Sequence, residues 1–356
     1  MAQVISTLAS SVPAPVDYVL MRGLLSAARK RCPYFVGTMP GTLEKNQGSA
    51  SVKWRRIENL DPATTALAEI TGNASFGMGR DSVQASITDV TVAIAKYGNA
   101  ITFNEELDLI NVNSRAAQLM DTLGANAGES LNILMRDVFD ASTNIRYASN
   151  ATATTSITSS ISVSDIQYCV NQLNRESGMK FASEAYGSTR VGSSPLREAY
   201  IGICHVDVEE DVRGLSNFIG VEQYGGHTRT YTNEFGSVGG VRWISTEIAP
   251  IATSGATESS AGHRGASDTA NDVYSSFVIA KEAVGSVGLG DQHTKEIYLM
   301  GDRIPTVELI KHNPGSSGVG DMFNEVGTLA WKSWFAGKIL NNNWIIKLET
   351  LANDLS

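Results

Sequence analysis

The sequence is poor in cysteine and in long apolar runs. Its 356 residues include three cysteines, Cys32, Cys169 and Cys204, which lie far apart and form no Cys-x-x-Cys pair. A disulfide framework and a zinc knuckle are therefore not expected, and a reducing compartment fits best. No apolar run approaches the roughly 18 residues of a membrane-spanning helix, and the N-terminus lacks the features of a signal peptide. We expect no membrane or secretory role.

Charge is also scarce and is unevenly placed. Charged residues make up 18% of the chain, below the roughly 25% of an average soluble domain, so part of the surface is expected to meet protein. The net charge is −9, yet residues 1–56 hold eight basic and two acidic residues, which gives +6 there and −15 elsewhere. This basic segment is expected to dock on an acidic neighbouring subunit; contact with phosphates is the second alternative.

The motifs of common catalytic and nucleotide sites are missing as well. The sequence has no GxxxxGK[ST], HExxH or GxSxG. The glycine-rich stretches at 236–240 and 315–320 lack the strand and helix context of a dinucleotide site and are predicted to be tight turns. Only His205 and Asp207 resemble an acid–base or metal pair, and a histidine at a strand end more often has a structural role. We predict no catalytic residue, cofactor or metal.

The N-terminal hundred residues predict an arm and a projecting hairpin. Residues 1–48 are punctuated by proline and glycine around one short amphipathic helix at 18–30. In residues 49–57, Val52 and Trp54 alternate with Lys53 and Arg55, which is typical of an edge strand with one charged face. A second alternating strand begins near Val90, after a long polar connection, and the two strands are expected to pair.

Next comes the longest periodic segment. Apolar residues recur every three or four positions over 104–142, with Asn104 as the predicted N-cap. One helix of this length would span roughly 58 Å. The alternative is two ordinary core helices that meet near Gly124 and Gly128.

The remaining chain predicts a mixed α and β region. The Ser/Thr-rich segment 149–164 is expected to form a flexible loop or a β-rich insertion. Two helices are predicted, one from Ser164 to Gly178 and one from Asp207 to Gly214. Strands are expected at 200–206, 238–248, 274–280, 294–300, 329–340 and 344–349, with a turn at 341–343 and a long loop at 253–272.

The order of these elements resembles the major capsid proteins of tailed double-stranded DNA bacteriophages, which have the fold called HK-ninety-seven, and the local sequence looks closest to the N-four-like phage capsid family. The resemblance is carried by VTVAIAKYGNAITFN at 90–104, YIGICHVDVEEDVR at 200–213, NEFGSVGGVRWISTEI at 233–248 and GTLAWKSWFAGKILNNNWIIKLE at 327–349. Val206 departs from it, because a proline would be expected after the histidine.

The resemblance implies an α+β, HK-ninety-seven-like capsid fold. Its parts would be an N-terminal arm (1–48), an extended hairpin or E-loop (49–97), a peripheral domain with a long spine helix (98–148), an axial α/β domain (149–310) and strands that return to the peripheral domain (311–356). The function implied is self-assembly into the icosahedral shell that encloses the genome. Implied partners are other copies, in hexamers and pentamers, with portal, scaffolding and decoration or cement proteins; packaged DNA would be met only non-specifically.

The expected inter-subunit contacts come from the basic segment and the hairpin. They are Arg22, Arg29, Lys30, Arg31, Lys53, Trp54, Arg55 and Arg56. Some relatives of this fold cross-link lysine to asparagine, a role for which Lys53 is a candidate without a nameable partner. A soluble α/β enzyme with a site near His205 and Asp207 is the alternative function, and a surface or tail binding module is a third.

Overall fold

The computed structural model describes residues 32–44, 51–58, 60, 62, 64, 85–104, 115–181, 198–224, 231, 233–256, 262–265, 270–290, 307–312, 323 and 325–354. In these residues lie three α-helices: α1 (Arg115–Asp140), α2 (Val163–Arg175) and α3 (Val206–Arg213). None of the helices described is long and apolar enough to cross a membrane.

The strands, in chain order, are β1 (Met39–Glu44), β2 (Ser51–Ile57), β3 (Ile87–Ala93), β4 (Ala95–Asn104), β5 (Ile145–Tyr147), β6 (Tyr200–His205), β7 (Ile219–Gly220), β8 (Glu234–Val238), β9 (Val241–Thr246), β10 (Ile251–Ala256), β11 (Asn271–Ile279), β12 (Val284–Gly290), β13 (Val307–His312), β14 (Val326–Ile339) and β15 (Ile345–Thr350). Short 3-10 turns occur at Pro33–Phe35, Ala148–Asn150, Thr154–Ser156, Val221–Gln223 and Asn342–Trp344.

The first sheet is organised around the long strand β14. One edge of β14 pairs with β4, and the other edge pairs with β13 and then with β12, which in turn pairs with β1. Leu329, Trp331 and Phe335 alternate onto one face of β14, where they are buried against α1. The indole of Trp331 donates to Asn126 Oδ1 on α1 at 3.0 Å, which fixes the position of the helix on the sheet.

The second sheet has the order β5–β15–β11–β6–β9–β8–β7, with β10 beside β11. Because side chains alternate along a strand, β11 serves two cores. Phe277 and Ile279 belong to the core that includes α1, whereas Tyr274 and Val278 belong to the core beneath α2 and α3. This sheet therefore lies between α1 on one face and the two shorter helices on the other.

The long helix is confirmed as one element over its described residues, and it ends at Asp140, two residues before the predicted end. Over the described residues α1 is continuous from Arg115 to Asp140, about 39 Å, and passes through Gly124 and Gly128 without a break, so the prediction of two helices is wrong here. Asn104 is not an N-cap, because it is the last residue of β4 and pairs with Val326. Residues 105–114 lie outside the described part.

The first described residues of the predicted arm belong instead to the core. Cys32, Tyr34 and Phe35 are buried, because aromatic side chains of this size lose a large apolar area from water when they pack. The ring of Tyr34 meets Phe139 edge-on with centroids 5.3 Å apart, and meets Phe277 at 6.1 Å. Residues 1–31, with the predicted helix at 18–30, lie outside the described part of the chain.

Most of the other predicted elements are confirmed, with shifted ends. β2 and β3 pair in full antiparallel register from Ser51–Ala93 to Ile57–Ile87. The predicted strand 238–248 is two strands, β8 and β9, because Gly239 and Gly240 have φ of 63° and 88° and turn the chain between them. The strand predicted at 294–300 lies outside the described residues. Strands β1, β4, β5, β7, β10, β12 and β13 were not predicted. The loop predicted at 253–272 is wrong at both ends, because β10 continues to Ala256 and β11 begins at Asn271.

The Ser/Thr-rich segment is folded onto the protein. Ile157 is fully buried in a small core with Val273 and Leu351, and Thr154 donates to Glu349 at 2.7 Å. Ile157 and Ile161, both buried, thus outweigh the polar composition around them. The segment ends at Ser162, which caps α2 by accepting from the Asp165 N–H, so the predicted cap at Ser164 is two residues too late.

Helix α3 is capped by a histidine. The predicted cap, Asp207, is wrong because His205 Nδ1 accepts from the Asp207 N–H at 3.1 Å. The Asp207 carboxylate instead accepts hydrogen bonds from Arg264 at 2.5 Å and from the Tyr274 hydroxyl at 3.0 Å. Burial lowers the pKa of His205, although the nearby charge of Asp207 acts in the opposite direction.

A partly buried lysine joins α1 to β15. Lys347 Nζ lies 2.7 Å from Asp140 and 3.2 Å from Glu349, whose side chain is 6% exposed. Burial by itself lowers the pKa of Lys347, but hydrogen bonds and charges from both carboxylates outweigh it and raise the pKa overall. A buried carboxylate is tolerated only when it is paired, so this lysine is a structural requirement.

We predict that Lys347→Met lowers the free energy of unfolding by about 3 kcal/mol, because Glu349 is left buried without its cation. Urea denaturation followed by tryptophan fluorescence measures the loss. Lys281→Met is the matched control. The Lys281 side chain is half exposed, and its ion pair with Glu282 is longer, at 3.8 Å, so its loss should change the free energy of unfolding little. Equal losses in the two variants would contradict the assignment.

A second prediction concerns acid. A histidine whose pKa is lowered in the folded state takes up its proton more readily when unfolded, so stability is lost as the pH falls below about 6.5. His205→Asn keeps a capping acceptor but cannot titrate, and we expect it to flatten the decline in melting temperature between pH 7 and 5. His312→Asn, at an exposed position, should leave the decline as it is. An unchanged decline in the His205 variant would refute the assignment.

Candidate assembly surface

The described residues contain little that suggests catalysis. No group of three or more His, Cys, Asp or Glu is placed to hold a metal among the described residues. All three cysteines are buried, and burial raises the pKa of Cys32 and Cys169 to about 12. Thiols in this state are protonated near neutral pH and are poor nucleophiles.

The pair predicted for the alternative enzyme is part of the framework. His205 uses Nδ1 to cap α3, and the two oxygens of Asp207 are engaged by Arg264 and Tyr274. Arg264 is itself tied to the C-terminal residues through its backbone N–H, which donates to Ala352 at 2.9 Å. These contacts hold a loop and the C-terminal residues against α3. Both oxygens of the Asp207 carboxylate are used in these structural hydrogen bonds.

The hairpin of β2 and β3 has two different faces. On the inner face, Val52 and Trp54 are partly buried, as the sequence predicted. The ring of Trp54 lies so close to Gly41 of β1 and Gly285 of β12 that a Cβ on either residue would be 2.8–2.9 Å from it. Within its own chain this ring seats the hairpin on the first sheet; that Trp54 also contacts another subunit stays a prediction.

The basic residues of the hairpin have partners within it. Arg55 Nε lies 3.1 Å from Asp89, the residue directly opposite in the register, and the Arg55 hydrogen bond lowers the pKa of Asp89. Arg56 pairs with Glu58. Lys53 is exposed. Arg22, Arg29, Lys30 and Arg31 lie outside the described residues, and their predicted inter-subunit contacts stay predictions.

The outer face of the hairpin carries an apolar pair that the sequence analysis missed. Ile57 and Ile87 lie directly opposite each other and are 64% and 54% exposed, and nearby Leu60 is 57% exposed. The signal was present in the alternation itself, which places Ile57 on the charged face with Lys53 and Arg55. Because the two side chains adjoin each other, they form the start of an exposed apolar surface, and extended surfaces of that kind are typical of interaction sites.

The first sheet also has a face that is only partly covered. The register places Gly41 and Gly285, beneath Trp54, on the same face as Trp334 of β14. Away from the hairpin, part of this face is exposed among the described residues. There Trp334 is 37% exposed, Lys96 lies 5.9 Å from its ring centroid, and Ala100 and Ala330 face each other across β4 and β14.

The sequence itself matches no known protein-family profile, and no curated protein matches it either. The fold, however, is similar to several solved structures. The capsid of Ralstonia phage GP4 superposes with a TM-score of 0.60 at 11% identity, over 92% of this chain and 93% of that chain. The head structure of Helicobacter pylori bacteriophage KHP40 superposes with a TM-score of 0.57 at 13% identity, over 91% of each chain.

The capsid structure of the cyanophage P-SCSP1u adds a third case, with a TM-score of 0.53 at 12% identity over 89% of this chain and 87% of that one. At such low identity the similarity establishes the fold, and it does so over nearly the whole length of both chains. The expectation for the fold class is thereby confirmed: this is an α+β chain with the HK-ninety-seven-like fold of phage capsid proteins.

Proposed function

We propose that the chain is a major capsid protein, which assembles with copies of itself into the icosahedral shell around a double-stranded DNA genome. The observation that carries the proposal is the match to phage capsid structures over about nine-tenths of both chains. A match of that extent leaves no room for an added catalytic domain in the 356 residues. The role of the protein is then assembly, and its functional site is the surface that meets the next copy.

The hairpin supplies the best candidate for that surface. Within the described residues it is a sheet of two strands only, and such a hairpin is marginally stable by itself in water. Trp54 stabilises its inner face, but its outer face exposes Ile57 and Ile87. Burying these apolar side chains lowers the free energy of the protein. In a shell built from copies of one chain, a neighbouring copy can bury them.

The open part of the first sheet is the complementary candidate. It offers the pair of Ala100 and Ala330, with Trp334 four residues further along β14 on the same face. A contact between the hairpin of one copy and this face of the next is heterologous, which is the type of contact that builds rings and extended lattices. Aromatic residues such as Trp334 commonly supply much of the energy in such contacts.

Further parts of the proposal follow from the resemblance. The shell would assemble in the cytoplasm of a bacterial host and become the virion capsid. Portal, scaffolding and decoration or cement proteins would be its other partners, and packaged DNA would be met only non-specifically.

The hairpin contact is tested by Ile57→Asp with Ile87→Asp. Two carboxylates at the interface must be desolvated on assembly, so we expect subunits that remain folded by circular dichroism but form no shells in electron micrographs. Ile57→Val with Ile87→Val keeps an apolar surface and should assemble normally. Shells from the Asp variant at wild-type yield would refute the hairpin contact.

The role of Arg55 is tested by a charge swap. If its partner is Asp89 in the same hairpin, Arg55→Glu places two acids opposite each other and disturbs the strand pairing. Arg55→Asp combined with Asp89→Arg restores an opposite pair, and we expect it to restore the sedimentation profile of assembled particles. If Arg55 instead meets an acidic group on a neighbour, the swap will assemble no better than the single variant, and the intra-hairpin role is wrong.

A further inference from the structure

Two short segments, 262–264 and 352–354, pair with each other beside α3, and we call them the clasp. The bridge between their middle residues is antiparallel. The Arg264 N–H donates to the carbonyl oxygen of Ala352 at 2.9 Å, and the last residue of the second segment donates to the first residue of the other at 2.8 Å. The second segment therefore cannot leave unless these backbone hydrogen bonds break.

Two carboxylates of α3 hold the clasp. Asp207 accepts from Arg264 at 2.5 Å. Asp211 accepts from both the backbone N–H and the side-chain amide of Asn353, at 3.0 and 2.7 Å. Positions i and i+4 of a helix lie on one side, so each segment of the clasp is tied to one carboxylate on the same side of α3.

The clasp is held mainly by polar contacts. Of its six residues, only Ala352 is buried. The first segment is also joined to β11, whose Asp272 N–H donates to the Arg264 carbonyl oxygen at 3.0 Å, and the second follows Leu351, which is fully buried. Segments with few buried apolar contacts open at the lowest cost in free energy. The residues after Leu351 are therefore expected to open before the sheets do.

A histidine contacts the carboxylate that holds the first segment. His205 Nδ1 accepts from the Asp207 N–H at 3.1 Å, and the ring also has a hydrogen bond with the backbone of Glu247. Nδ1 lies 3.2 Å from Asp207 Oδ2, the oxygen that accepts from the Tyr274 hydroxyl. The charged groups that face the ring are Asp207 on α3, Glu247 after β9 and Arg264 of the clasp.

Protonation changes which of these contacts are possible. An imidazolium has two donors and no acceptor, so a charged His205 cannot accept from the Asp207 N–H, and α3 loses its cap. The acceptor already within reach of Nδ1 is Asp207 Oδ2, which is then drawn away from Tyr274. Burial lowers the pKa of His205 against the opposing charges of Asp207 and Glu247, so the change takes place on the acid side of neutrality.

We propose that the clasp is an acid-opened catch: a protonated His205 takes the Asp207 carboxylate and uncaps α3, and residues 352–354 then detach from α3 while both sheets stay folded. The disturbance reaches Asp211 because α3 has eight residues and Asp211 lies one turn after Asp207. Opening exposes the polar side of α3 and frees the segment that follows Leu351. The catch goes beyond the assembly role and does not depend on it.

The catch is tested by hydrogen–deuterium exchange of the full chain, followed by mass spectrometry of its peptides. Exchange is compared at about pH 7 and about pH 5, with times scaled for the intrinsic pH dependence of exchange. In the wild type, peptides that contain the clasp should lose protection by about tenfold at the lower pH, whereas peptides of α1 and β6 should keep theirs. His205→Asn retains a capping acceptor but cannot be protonated, and it should abolish the loss.

Two further variants serve as controls. His263→Asn removes the histidine inside the clasp, whose Nδ1 has no hydrogen-bond partner among the described residues, and it should respond to acid like the wild type. Asp211→Ala removes the acceptor of Asn353 and should open the clasp at both pH values, which shows that the exchange detects opening.

Other results would overturn the catch. A loss that persists in His205→Asn, or that disappears in His263→Asn, would assign the acid response to another group. An equal loss in the peptides of α1 and β6 would show unfolding of the whole chain, and a clasp that stays protected at about pH 5 would show no opening. If His205→Asn does not fold, the comparison of clasp and α1 peptides in the wild type and in His263→Asn decides by the same outcomes.

Discussion

The structure depends on an aromatic contact at the place where three segments of the chain meet. Tyr34, Phe139 and Phe277 come from the N-terminal segment, from α1 and from the second sheet, and each ring meets the other two edge-on at 5.3 to 6.1 Å. Edge-to-face pairs add to the energy of burial. Because α1 also packs on the first sheet through Leu131 and Met135, this contact makes two sheets and a helix into one body.

That body provides a rigid base for the hairpin. A sheet of two strands has no core of its own, so its position is set by what lies beneath it, and here the ring of Trp54 fits over two glycines of the first sheet. The charged pair of Arg55 and Asp89 holds the strands in register without attaching them to anything else. The hairpin is therefore fixed at one face and exposes apolar side chains at the other, which suits the proposed role in joining copies of the chain.

Much of this organisation could be predicted from the sequence, because periodicity directly reflects burial. The alternation around Trp54 and the three-to-four spacing in α1 both arise from one face that packs, and both elements were predicted. The elements that were not predicted depend on contacts between segments that are far apart in the sequence. β12 lacks a strand pattern because three of its seven residues are glycine, and only contact with the distant Trp54 accounts for Gly285. Tyr34 likewise gives no local sign that it is buried. The cap at His205 was missed because an imidazole acceptor is less common than the carboxylate of Asp207.

The central claim is that copies of this chain are joined through the outer face of the hairpin. A cryo-electron microscopy map of particles formed by the purified chain, at a resolution that shows side chains, tests it most directly. The account predicts closed shells in which Ile57 and Ile87 of one copy are covered by the neighbouring copy, against the open face that contains Trp334. A chain that stays monomeric, or shells in which this isoleucine pair faces solvent, would contradict it.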